Sequence, residues 1–67
     1  MSVAKIVEIV GNSEKSWDDA IKQALKRTSK TIRNIRGIDI IGQNAIVKDG
    51  KIKEYRVVMK VSFVVED

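Results

Sequence analysis

The sequence predicts an α+β fold in which one helix lies on a three-stranded antiparallel sheet, with the elements in the order β-α-β-β. Three observations carry this. There is one stretch with helical apolar spacing, there are three β-branched segments, and an Asp49-Gly50 pair sits between the last two of those segments. A chain of 67 residues has room for a single domain, residues 1–67.

Residues 3–10 (Val-Ala-Lys-Ile-Val-Glu-Ile-Val) are β-branched and partly alternating, which predicts the first strand. Gly11-Asn12-Ser13 is expected to break it. Ser16, followed three positions later by Asp19, matches a capping box, and Glu14, Asp18 and Asp19 gather where a helix N-terminus favours acids. From Trp17 the apolar or small positions fall at 17, 20, 21, 24, 25, 28, 32 and 35, one buried stripe on a helix of about 17 to 20 residues. Gly37 is expected to stop this helix or begin the next element. The second strand is predicted over residues 38–48, with Gly42 a bulge or bend. Asp49-Gly50 predicts a type I′ hairpin turn, with positive φ at both residues.

The third strand runs over residues 52–65. Tyr55, Val57, Met59, Val61, Phe63 and Val65 share one face, and Glu54, Arg56, Val58, Lys60, Ser62 and Val64 share the other. A right-handed crossover followed by a hairpin places the third strand in the middle, order 1-3-2. Strands of that length reach roughly 36 to 48 Å. A helix of about 25 to 30 Å does not cover them, and the far face mixes Val58, Val64 and Ile41 with charges. An uncovered sheet predicts self-association.

Composition points the same way. The chain has no cysteine, histidine or proline. Disulfides, thiolate or imidazole metal sites, thiol nucleophiles and the commonest neutral-pH base are therefore excluded. A domain this small buries only about 60% of its unfolded surface and needs added stability. No apolar run is long enough for a membrane span, and the N-terminal residues carry no secretory pattern. Together with the missing cysteine, this gives a cytoplasmic expectation.

Gly11-x-Ser13-x-x-Ser16 lacks the Lys and the further glycine of nucleotide loops, so a turn with an N-cap accounts for it. The stretch Lys22 to Arg36 holds six positive charges and no acid, within a net charge of +4. Trp17, Tyr55 and Phe63 all fall on predicted core faces, leaving no aromatic to stack on a base. A solvated helix face therefore explains the charge better than a nucleic-acid partner. Arg56 sits mid-strand on the far face, where an inward-facing assembly would turn it towards a carboxylate, phosphate or ring edge. No serine or lysine is placed beside an activating base, so no catalytic residue and no enzymatic activity are expected.

The segment Lys5-Ile6-Val7-Glu8-Ile9-Val10-Gly11-Asn12-Ser13, the capped helix, and Glu54-Tyr55-Arg56-Val57-Val58-Met59-Lys60-Val61-Ser62-Phe63 together closely resemble the dodecins, from about Val3 to Val65. The resemblance implies a sheet partly wrapping the helix and a homododecameric hollow shell with its sheets towards the inside. It also implies storage of flavin, FMN or riboflavin, as pairs stacked between tryptophans. The family's stacking tryptophan aligns with Gly37 and its flavin-contacting glutamine with Arg56. Asn44 stands where relatives place a basic residue. These three form the expected ligand-binding set, weakened for flavin by the missing aromatic. Dodecins lacking that tryptophan form a calcium-binding branch, which this chain resembles in its Ser16-Trp17 helix start. Calcium is therefore the alternative ligand, with no residue assigned to it.

Overall fold

The computed structural model describes residues 3–66. Its elements are β1 (Val3–Ser13), α1 (Trp17–Thr28), β2 (Ile35–Lys48) and β3 (Lys51–Val65). The sheet order is β1-β3-β2, with β3 antiparallel to both neighbours. This is the predicted topology.

The helix starts where its cap predicts. The Asp19 amide donates to Ser16 Oγ at 2.9 Å, satisfying one of the amides that a helix N-terminus leaves without an internal partner. The reciprocal half of the capping box is absent. Asp19 Oδ2 instead accepts from Ser13 Oγ at 2.6 Å, and that hydroxyl takes the Lys15 amide at 2.9 Å. Ser13 is thus tied to both sides of the strand-to-helix turn, and is itself only 8% exposed.

Four boundaries depart from the sequence reading. Gly11-Asn12-Ser13 does not end β1; the ladder continues through Gly11↔Val57, Asn12↔Arg56 and Ser13↔Tyr55. The helix has 12 residues and closes at Ser29, whose amide donates to the Leu25 carbonyl at 2.9 Å. The run Thr28-Ser29-Lys30-Thr31 turns instead of continuing, as residues whose hydroxyls compete for backbone groups favour. Ile32 is half-buried, and its amide still reaches the Thr28 carbonyl at 2.9 Å. Asn34, at φ 62°, then redirects the chain. Gly37 consequently lies inside β2, which starts at Ile35 instead of residue 38, and β3 starts one residue earlier than expected, at Lys51.

The hairpin turn matches its prediction, with φ 53° at Asp49 and 75° at Gly50. The irregularity expected at Gly42 is also present. Ile40 pairs with Met59 and Gly42 with Val58, leaving Ile41 as the bulged residue.

The core is the predicted inner face of β3. Val57, Met59 and Val61 are fully buried, with Ala20 of the helix packed on them. Val7, Ile9, Trp17, Ile21, Ala24 and Ile35 surround this cluster. The contact depends on one position. A Cβ on Gly11 would stand 2.7 Å from the Ala20 carbonyl oxygen and 2.8 Å from Ala24 Cβ. Glycine at 11 is there so that helix and strand can touch, and not to make a turn.

Substituting Gly11→Ala is therefore expected to force the helix off the sheet and lower stability by about 1–3 kcal/mol in denaturant unfolding. Gly42→Ala, where a Cβ meets nothing within 4 Å, is the matched control and should shift stability by no more than about 0.5 kcal/mol.

Candidate functional site

Antiparallel pairing sorts the outer face of the sheet, away from the helix, into rows that cross all three strands. Asn12, Arg56 and Asn44 form one row. Val10, Val58 and Gly42 form the next, followed by Glu8, Lys60 and Asp39, then Ile6, Ser62 and Gly37. Asn12 and Asn44 are exposed and Arg56 is half-buried.

Two of the three residues expected at the ligand, Asn44 and Arg56, are thus direct cross-strand partners. Gly37 is not with them. It faces Ser62, six positions along β3 from Arg56, or roughly 20 Å at about 3.3 Å per residue. Ser62 Oγ donates to the Gly37 carbonyl at 3.3 Å. A Cβ at Gly37 would lie 3.2 Å from that same hydroxyl, which can rotate away. Around Gly37 is a small recess of about 110 Å³, lined also by Ile6, Ile38, Asp39, Lys60 and Ser62.

One contributor escaped the sequence reading. Trp17 belongs to the helix-side face as expected, its ring meeting Tyr55 edge-on at 4.9 Å and 77°. Its indole Nε1 also donates to the backbone carbonyl of Asn44 at 2.9 Å. The helix therefore reaches across the central strand and holds β2 at the residue that completes the Asn12–Arg56–Asn44 row. No local pattern announces a side-chain bond spanning 27 positions.

A larger groove of about 720 Å³ follows the free edge of β1 beside the helix, lined by Asn12, Ser13, Asp19, Gln23, Ala24 and Arg27 among others. Of the three expected residues it contains none. Lys22, Lys26, Arg27, Lys30, Arg33 and Arg36 are all exposed, as a solvated face requires. Lys22 is held by Asp18 at 3.0 Å, and that hydrogen bond, followed by the carboxylate's charge, raises the Lys22 pKa. Among the described residues this is the one ion pair, so Arg56 is engaged by no carboxylate. Among the described residues, too, no three acidic side chains converge to hold a metal ion. No helix among the described residues is long and apolar enough to cross a membrane.

Known proteins resemble this arrangement along its whole length. The family model for dodecin matches residues 3–66. Dodecin of Thermus thermophilus is 37% identical over 65 residues, which cover 97% of this chain and 94% of the relative. A point mutant of that protein superposes with a TM-score of 0.95 at 36% identity, with both chains fully covered. Calcium dodecin of Mycobacterium tuberculosis is 39% identical over 64 residues, covering 94% of this chain and 89% of the relative. Its crystal structure, described as having a novel calcium-binding site, superposes with a TM-score of 0.83 at 35% identity, covering 96% of this chain and 91% of that one.

Trp17→Phe keeps an aromatic ring beside Tyr55 and removes the bond to the Asn44 carbonyl together with part of the indole's packing on the core. It is expected to cost about 1–3 kcal/mol in unfolding. Hydrogen exchange should show the loosening in β2 around Asn44, with the Asp49-Gly50 turn unaffected.

Proposed function

The chain belongs to the dodecin family, and we propose that it forms a non-enzymatic shell of twelve copies that binds or stores a small ligand, flavin-type by family. The observation that carries this reading is the uncovered outer face of the sheet. Ile6, Val10 and Ile41 are 63%, 51% and 53% exposed in the single chain, and polar rows lie between the apolar ones. Residues of this kind left in water favour burial against further copies. Shell formation would turn the face that carries Arg56, Asn44 and Gly37 inward.

The roughly 20 Å between Gly37 and Arg56 within one chain bears on how such a ligand is held. One flat ring cannot lie against both positions of the same copy, so a site using both draws them from different copies. Gly37 offers no π-face, which removes about 1–3 kcal/mol of stacking per ring face by analogy with nucleobases. Flavin affinity is accordingly weakened, and any ligand relies more on polar contacts.

A calcium-binding shell is the second reading, supported by the relative named calcium dodecin and by the missing aromatic at Gly37. Since no three carboxylates meet within the described part of one chain, such a site would take its ligands from more than one copy.

Native purification with solution mass and an absorption spectrum tests the shell and its ligand together. A mass of twelve chains is expected, and a monomer would reject the proposal. In fluorescence titrations with FMN and riboflavin, Gly37→Trp is expected to tighten binding at least about tenfold. Equal affinities of wild type and variant would remove position 37 from the site. For calcium, a melting midpoint unmoved by chelator would discard the second reading.

A further inference from the structure

We propose that Asn12, Arg56 and Asn44 form one oxyanion-binding row, taking the carboxylate or phosphate group of a ligand without any contribution from position 37. This rests on the reading that the outer sheet face lines a ligand site, and it names the chemistry recognised there. Asn12 enters the site for the first time.

The register carries the argument. Asn12 and Asn44 are both direct partners of Arg56, one on each flanking strand. Directly opposed residues have Cβ atoms about 4.5–5.5 Å apart. The row therefore presents a guanidinium between two carboxamides, a span that one small oxyanion can bridge. Arginine supplies a planar fork of donors matched to carboxylate and phosphate, and each carboxamide adds an N–H₂ group.

The neighbours leave that charge available. Lys60, two rows away, has acids, Glu8 and Asp39, as both of its cross-strand partners. Arg56 has amides on both sides instead of acids. Glu54 lies on the same face, two positions along β3 and opposite Ile46, yet no ion pair joins it to Arg56. On the other side stand Val10, Val58 and Gly42, and a Cβ at Gly42 would meet nothing within 4 Å. An anion over the row would thus have an apolar strip with an open notch beside it, suited to the rest of an amphipathic molecule. Trp17, bonded to the Asn44 carbonyl from the opposite face, positions the β2 end of the row and touches no ligand.

The test uses the intact assembly and follows its melting midpoint at fixed ionic strength, with chloride replaced by inorganic phosphate in one arm and by acetate in the other. One of the two anions is expected to raise the wild-type midpoint in a saturable way, and which one does so separates phosphate from carboxylate recognition. Arg56→Gln, which restores the side chain that the family resemblance places there, should weaken the apparent affinity at least about tenfold. Asn12→Ala and Asn44→Ala should each weaken it by a factor of about three to ten. A wild type indifferent to both anions, or an Arg56→Gln variant that responds like wild type, overturns the proposal. If flavin titrations fail while the anion response and its loss in Arg56→Gln hold, the flavin reading falls and the row stands.

Discussion

Everything in this molecule follows from how little of the sheet one helix can cover. Twelve helical residues reach about 18 Å, while the molecule is 52 Å long. The helix rests on β1 and β3, where Gly11 lets Ala20 and Ala24 approach the backbone. β2 and the outer half of the molecule receive almost nothing from it beyond the Trp17 indole. Among the described residues the fully buried core is accordingly four side chains, Ala20, Val57, Met59 and Val61. Such a core is small against the conformational entropy of ordering the chain. The shortfall that length and composition imply is therefore located in space, on the outer face and along β2.

Much of this was legible because it is local or periodic. Alternation in β3 identified the buried face, since residues two apart in a strand share a side. Asp49-Gly50 specified the hairpin, since few other pairs accept positive φ twice. Ser16 marked the helix start through a bond to an amide three residues away. The helix end was misread for an instructive reason. Ile32 and Ile35 continue the apolar period, so the stripe persists although the helix stops at Thr28. Periodicity records which residues avoid water, and a turn followed by a strand still packs Ile35 on the core. The Ser/Thr-rich stretch and Asn34 were the only local signs of the change.

Gly11 and the cross-strand rows belong to a different class of information. Glycine before a polar pair reads as a turn, and only the presence of Ala20 and Ala24 above it reveals a close approach. Arg56 and Asn44 were singled out separately, yet their pairing with each other and with Asn12 is a property of register. Register here depends on Ile41 being the bulged residue. Had β2 run unbroken from Ile40, Asn44 would face the other side of the sheet. A bulge beside Gly42 thus decides that Asn44, in place of Gln43, is the second amide beside the arginine.

The same geometry separates the two roles that the proposed shell would ask of the outer face. Apolar residues there favour contact with further copies, and a uniformly apolar face would serve that purpose best. The rows instead interleave apolar and polar sets, and the polar sets are not alike. Glu8, Lys60 and Asp39 set two acids against one lysine in register, a charge pattern that further copies can match. Asn12, Arg56 and Asn44 leave one positive charge unanswered. Burying that row against another protein surface without an anion would leave a guanidinium desolvated and unpaired, at a cost of several kcal/mol. A shell that turns this face inward must therefore keep the Arg56 row wet or give it a counter-ion. That requirement, set by register and charge alone, is what distinguishes a ligand-lined interior from a simple packing interface.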